Sequence, residues 1–454
     1  MLKKIRERNV HLFVFTFCLG LFLGVTFSYR VTATETAHKY LDYFHNVYQI
    51  IMSEYVRPTS NKDLFYGAID GMIKSLDDPY SRFLDEKSYE ELKEMTTGKF
   101  VGVGIEITMQ DDEIIVITPI EDSPAMKSGI SAGDIITRVD GKNIKGKKLS
   151  EIVKMIKGLP GTKVTLSVYR EGADDTIDYE LTREAIKLKS VEYDLIEGNN
   201  IGYMKIKNFG SDTTKDVVKA IKYFNSKKSD RAIIDLRYNP GGLLNAAVTI
   251  ADLFLEKGKT IVSTKGRSDT RKEETFKSEN DPLYTGDIIL LVNKGSASAS
   301  EILSGAIRDN KRGKLLGEKT FGKGSVQKSF NLDENLGVAI TVAYYYTPSG
   351  ELIHGKGIKP DIALASEKFS DTEQKILKKI ENDKLIENFV TKGMQYNEDT
   401  KKKFYEYLKK NNVEISGRSA DFLLKSGIYQ FKKRPIYDME FDIQLSKAAE
   451  IISR

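Results

Sequence analysis

The chain of 454 residues contains one cysteine, Cys18, and no tryptophan. A single cysteine excludes an intrachain disulfide and any cysteine cluster that could hold a metal. Histidine is scarce too, with only His11, His38, His45 and His354. None stands in a spacing such as H-E-x-x-H, so zinc hydrolysis is not expected and no metal or other cofactor is called for. A large excess of one charge is also missing, the net charge being +5. No nucleic-acid-reading motif appears, and nucleic acid is not an expected partner. With 40% hydrophobic and 30% charged residues, the body reads as globular, neither polytopic in a membrane nor disordered. The length exceeds one simple core and implies about two to four domains.

What is present begins at the N-terminus. Lys3, Lys4, Arg6 and Arg8 precede an apolar run from Val10 to Phe27. About 18 apolar residues reach the lower limit of a membrane-spanning helix. The basic flank belongs in the cytoplasm and sends the rest outward. The reading is a cytoplasmic tail over residues 1–9 and a transmembrane signal anchor over 10–27. A cleaved signal peptide, which would make the body secreted, is the alternative, but no clear A-x-A site follows. Phe17 before Cys18 does not suit a lipoprotein signal. Both readings place the body outside the cytoplasm.

Residues 35–96 read as helical. Tyr40, Phe44, Val47, Tyr48 and Ile51 recur at three- and four-residue steps, Pro58 ends that helix, and a second follows around Leu64 to Leu76. Such helical ends suggest a homodimer. From Lys99 the periodicity shortens. A Gly-punctuated loop, Gly102-Val103-Gly104-Ile105, leads into a strand. The run Ile114 to Ile117, a helix with Leu149, Ile152, Val153 and Ile156 on one side, and the strand Val164 to Arg170 come next. Together with "SPAMKSGISAGDIITRVDGK", residues 97–182 resemble a PDZ domain of the bacterial protease-associated kind. The resemblance implies that Gly102, Val103, Gly104 and Ile105 receive a peptide's C-terminal carboxylate on backbone N–H groups, while the peptide adds a strand alongside. Arg170, at the end of the module's last strand, is the candidate for reporting occupancy to the rest of the chain.

Residues 187–365 alternate strand and helix, with expected strands at Ile201–Ile206, Ala232–Leu236 and Asp287–Val292 and an expected helix from Thr214 to Phe224. Residues 366–454 are rich in Lys and Glu at helical spacing and read as a helical interaction or capping domain.

Three segments of the α/β part carry the chemistry: "DLRYNPGG" at 235–242, "NKGSASASEI" at 293–302 and "GEKTFGKGSVQ" at 317–327. By pattern alone, Ser298-Ala299-Ser300-Glu301 is also an S-x-x-E helix-capping box. Taken together, the segments resemble the tail-specific, or C-terminal processing, serine proteases, subfamily A of peptidase family S41. With the PDZ-like module, the resemblance covers about residues 40–365. It implies a multidomain α/β chain: a crotonase/ClpP-like protease core, a PDZ domain, and helical N- and C-terminal segments. It implies Ser298 as nucleophile, with Ser296 and Ser300 as neighbouring candidates.

A serine hydroxyl needs a base. No histidine lies near these motifs in sequence, and His354, after the turn at Pro348-Ser349-Gly350, is a weak alternative. The family pattern points to Lys323, which must be neutral to act, as burial favours. Phe321 is placed to exclude water. Gln327, four residues on, would share a strand face with Lys323 and orient its amine through a neutral amide oxygen. Oxyanion donors are expected from Ala299 N–H and from Gly241 or Gly242. Asp309 reads as structural. The expected partners are proteins or peptides with accessible C-termini, and the membrane through the N-terminal helix. The competing readings are a PDZ-type scaffold without proteolysis and a small-molecule acyl hydrolase on the same fold.

Overall fold

In the computed structural model, the strand–helix alternation after residue 187 becomes a six-stranded sheet. Its spatial order is Val191–Ile196, Ile201–Ile206, Arg231–Asp235, Asp287–Val292, Lys314–Gly317 and Ile362–Ala363. The first pair is antiparallel and every later pair parallel. Side chains alternate across it. Ala232, Ile234, Leu290 and Val292 face the helices Thr213–Ser226, Leu244–Asp252 and Ala299–Asp309. Ile233, Ile289, Leu291 and Leu316 face Leu445, Ala448 and Ala449 of the last helix, Ile443–Ile452. Covering both faces is why these strands are continuous apolar runs. The sequence pattern set residues 366–454 apart as one segment. In the fold, the helices from Asp371 to Ile428 share their own core around Phe404 and Leu424, whereas the last helix belongs to the protease sheet.

The structure describes residues 38–454 except 111, 121–122, 132, 171–174, 188, 268–272, 368, 392 and 430–434. The expected tail and anchor at residues 1–27 lie outside the described residues; among those described, no helix is long and apolar enough to cross a membrane. The chain divides at Asp85 into two compact units. In the first, a helix over 38–54 leaves Tyr40, Tyr43 and Val47 exposed, and Tyr48 packs its ring 5.2 Å from that of Phe65 on the Asn61–Lys74 helix.

Within the second unit, Ile105–Gln110, Glu113–Pro119, Ile135–Val139, Lys163–Tyr169 and Ile177–Thr182 form an antiparallel sheet in that order. The helix Leu149–Ile156 adds Ile152 and Ile156 to a core of Val103, Val116, Ile136 and Leu166. Ile105–Gln110 is the edge strand, so one of its sides is not paired within this sheet. Lys99–Gly102 pairs with Glu184–Lys187 at the module's root, where Lys187 meets Asp212 at 3.0 Å and Ser211 N–H donates to Thr96 O at 3.0 Å. A further antiparallel sheet is built on the long strand Leu336–Tyr346, paired with Ser325–Asp333 and with Thr260–Gly266. The sequence pattern did not announce this hairpin.

Candidate active site

Two loops leave the carboxyl ends of the neighbouring parallel strands Arg231–Asp235 and Asp287–Val292, the place where open α/β sheets put their sites. The second loop ends at Ser298, which begins the Ala299–Asp309 helix with φ +53° and ψ −113°. An L-residue is strained there and stays only when its surroundings hold it. A sharp strand–turn–helix bend of this kind is how a serine Oγ is presented at a sheet's end. Ala299 N–H, as the first helical residue, has no intrahelical acceptor.

The neighbouring serines are otherwise employed. Ser296 Oγ donates to Leu236 O at 2.8 Å, and Ser300 Oγ donates to Asn239 O at 2.9 Å. Both hydroxyls therefore lace the Ser298 loop to the first loop. Asn239 completes the lacing: it is fully buried, its Nδ2 donates to Ile206 O, its Oδ1 accepts from Gly241 N–H, and its carbonyl accepts from Ala297 N–H.

Gly241 is the closer of the two candidate glycines to Ser298. A Cβ on it would lie 2.7 Å from Ser298 Cβ and 2.9 Å from Ala299 N, and its φ is +104°. Gly242, with φ +144°, is pressed on Phe209 O instead. Gly241 N–H is spent on Asn239 Oδ1 at 2.9 Å.

Glu301 is the residue whose weight the sequence understated. As a capping box requires, its carboxylate accepts from Ser298 N–H, at 2.9 Å on Oε2. The same Oε2 accepts from Lys323 N–H at 2.8 Å, while Oε1 takes Gly322 N–H at 2.7 Å and the Thr320 hydroxyl at 2.6 Å. The backbone nitrogens of Ser298 and Lys323 are thus bridged by a single oxygen atom. Burial pushes the Glu301 carboxyl above its ordinary range, with the hydrogen bonds from Thr320, Gly322, Ser298 and Lys323 working against that rise. The signal in the sequence was the S-x-x-E pattern itself, read as a cap and nothing more.

Lys323 is half-buried in the loop before Ser325–Asp333, and a bulge separates Val326 from Gln327. The expected shared strand face is therefore corrected: Lys323 is not on the strand. Gln327 nevertheless has a defined amide, its Nε2 donating to Ser325 Oγ at 2.8 Å and to Thr341 Oγ1 at 3.2 Å. Phe321 is 60% exposed and does not wall off the loop. His354, distant in sequence, comes against this loop, since a Cβ on Gly324 would meet His354 N at 2.2 Å; its ring lies tilted against that of Tyr344, with centroids 4.9 Å apart. Asp309 is structural, accepting from Ser349 N–H and pairing with Arg308. A cavity of about 350 Å³ lined by Arg237, Arg418, Phe369 and Phe441 lies elsewhere, between the core and the C-terminal helices.

In the PDZ-like module, Gly104 has φ +76°, and a Cβ there would stand 2.2 Å from Ser123 Cβ. Gly104 O accepts from Ser123 Oγ and Ile120 N–H, which fixes the loop over Gly102, Val103, Gly104 and Ile105 at the start of the edge strand. Arg170 does not reach the core in this structure. It forks onto the buried Asp134 at 2.7 and 2.8 Å and donates to Gly129 O.

Comparison with known proteins defines a serine peptidase carrying a PDZ domain. The profile of Peptidase family S41 matches residues 200–364, a PDZ-domain profile matches 101–181, and the profile described as the activating protease CtpB N-terminal domain matches 26–88. A carboxy-terminal-processing protease of Bartonella bacilliformis is 40% identical over 360 residues, 77% of this chain and 82% of the relative. A probable CtpA-like serine protease of Staphylococcus aureus is 41% identical over 338 residues, 74% of this chain and 67% of the relative. Among solved structures, a photosystem II D1 C-terminal processing protease is 32% identical, with 71% of this chain and 86% of that one covered, at a TM-score of 0.43. The chain belongs to peptidase family S41, among the carboxy-terminal-processing serine proteases. That membership makes it a hydrolase and leaves the scaffold and acyl-hydrolase readings without support.

Proposed function

We propose that the chain is an endopeptidase in which Ser298 attacks the scissile carbonyl, Lys323 takes the serine proton, and Gln327 aims the lysine amine. The observation that carries this reading is the positive-φ bend at Ser298, tied through one Glu301 oxygen to the backbone of Lys323. Gln327 suits its role because both amide hydrogens have hydroxyl acceptors, which leaves its oxygen to receive the amine. A neutral partner keeps the lysine basic but uncharged, where a carboxylate would hold the proton on it. Ala299 N–H is the first oxyanion donor. Because Gly241 N–H is occupied, Gly242 N–H is the second, with Gly241 supplying the open space beside Ser298.

The substrate is an extracytoplasmic protein with an accessible C-terminus. Its last residues join the Ile105–Gln110 edge, the carboxylate settling on the Gly102–Ile105 loop, and Arg170 reports that event to the core. The Val10–Phe27 run anchors the chain, and the exposed aromatic face over 38–54 suits a second copy.

The test is cleavage near pH 8 of an unstructured protein with an apolar C-terminus by the full chain. Lys323→Ala should lower kcat by roughly 10²–10⁴-fold, and Ser298→Ala by at least as much. Parent-like cutting by Ser298→Ala would refute the assignment.

A further inference from the structure

We infer that Asp442 and Gln444, at the start of the last helix, are positioning residues for the Gly241–Gly242 turn, acting through Arg237. The inference rests on the assignment of Ser298 as nucleophile.

Arg237 lies just beyond the strand Arg231–Asp235 and leaves only 13% of its side chain exposed. Its guanidinium is gripped from both sides. On the core side, Nε and Nη2 donate to Asp235 at 2.9 and 2.6 Å. On the side of the last helix, Nη1 and Nη2 donate to the two Asp442 oxygens at 2.8 and 2.5 Å, and Nη1 also donates to Gln444 Oε1 at 3.0 Å. Paired, charge-assisted bonds of this kind fix orientation as well as distance.

Each clamping group is itself held. Asp235 is 1% exposed and accepts the Tyr203 hydroxyl at 2.8 Å and Arg237 N–H at 2.9 Å. Asp442 caps its own helix by accepting from Leu445 N–H at 3.0 Å, and Gln444 Nε2 donates to Leu364 O at 2.6 Å. The planar fork of Arg237 therefore has little freedom.

The backbone immediately after Arg237 needs that restraint. Tyr238 has φ +60°, Gly241 +104° and Gly242 +144°. The glycines adopt such angles freely, but the left-handed Tyr238, next to Arg237, persists only where its surroundings hold it. From the Ser298 side, Ser296 Oγ holds Leu236 O, Asn293 Oδ1 accepts from Tyr238 N–H, and Ser300 Oγ holds Asn239 O. From the opposite side, Arg237 fastens the turn to the last helix.

That helix does not depend on the ion pairs for its docking. It buries Leu445, Ala448, Ala449 and Ile452 against the sheet. Without Asp442 the guanidinium keeps Asp235 and Gln444, so no buried charge is stranded. Loss of Asp442 should therefore lower the midpoint through the lost cap and bonds, yet leave a folded protein whose turn has lost its charged tie to the last helix.

The experiment measures kcat and KM of the full chain on the same unstructured substrate, beside thermal midpoints. The variants are Ser298→Ala, Asp442→Ala, Asp442→Asn, Arg237→Ala, Arg237→Ala with Asp442→Ala, and Leu445→Ala. We expect Asp442→Ala to lower kcat roughly ten- to a hundredfold, the scale of a small misplacement, with KM nearly unchanged. Asp442→Asn, which keeps one acceptor oxygen, should fall between it and the parent. The double variant should be no slower than Arg237→Ala alone, because the effect passes through Arg237. Leu445→Ala should lower the midpoint while the folded protein keeps the parent kcat.

Parent-like turnover by Asp442→Ala, with Ser298→Ala inactive, overturns the clamp and leaves the Ser298 reading standing. An equal kcat loss in Leu445→Ala, or a fully additive double variant, also overturns it, since packing alone then explains the effect. Full activity in Ser298→Ala overturns the site reading and the clamp together.

Discussion

A glutamate three residues after a serine at a helix start ordinarily answers one backbone N–H. At Glu301 it answers three, from Ser298, Gly322 and Lys323, and a hydroxyl besides. Three N–H groups on one carboxyl require an acceptor, so an amide is the wrong isostere. Glu301→Gln turns an NH₂ toward N–H donors and should cost about 2–5 kcal/mol, as buried donors lose their acceptors. Because the carboxyl spaces the Ser298 and Lys323 backbones, kcat should fall about a hundredfold as well. Burial raises the Glu301 carboxyl despite its donors. A raised carboxyl binds its proton more tightly when folded. Its stabilising contribution is therefore complete at low pH and is lost as pH rises from the unfolded value of about 4.3 through the raised folded one. Urea melts across that window should show the stability of the parent falling relative to Glu301→Gln, then running parallel above it. A difference that grows with pH would reverse the sign and contradict the burial argument.

At the scale of elements, the local patterns were readable where one periodicity dominates. The strands Ile201–Ile206 and Asp287–Val292 have the expected bounds, because each is a short, largely apolar stretch too brief for a helix and closed off by turn residues. The hairpin Ser325–Tyr346 was missed because its outer strand is mostly exposed and mixed in composition. The Lys323–Gln327 spacing misled because a bulge interrupts the alternation on which the face argument relied. Glycines in the site turn were legible as turn formers, but their tasks depend on what they touch. Gly241→Ala would force a Cβ into contact with Ser298 Cβ and Ala299 N at φ +104°. It should cost about 1–3 kcal/mol in backbone strain and roughly a hundredfold or more in kcat. Gly350→Ala is the control: φ is +85° there, and nothing lies within 4 Å of the added carbon. It should show comparable backbone strain in a thermal melt and an unchanged kcat. If both variants lose activity alike, the close approach of Gly241 to Ala299 is irrelevant to catalysis.

At the scale of the whole molecule, sequence could announce the PDZ-like module and the protease core, since each carries its own motif, but not how the module speaks to the core. Long-range partners such as Asp442 for Arg237, or His354 against Gly324, leave no local pattern. The same limit applies to Arg170. It is latched within the module on Asp134, which is 1% exposed. Any signal through Arg170 must first break those bonds, so a bound tail has to offer the guanidinium a better acceptor or move Asp134 away. Arg170→Ala strands a buried carboxylate, at a cost of about 3–5 kcal/mol. Lost activity in that variant would therefore prove nothing without a binding measurement. The decisive comparison adds Arg170→Ala with Asp134→Ala, which removes the latch without leaving a charge behind. If Arg170 carries the signal, the double variant binds a C-terminal peptide like the parent, yet its cleavage no longer rises when that peptide is added. If peptide still stimulates cleavage by the parent's factor, Arg170 is a brace of the module and the signal takes another path, with the contacts at Lys187–Asp212 and Thr96–Ser211 next to be tested.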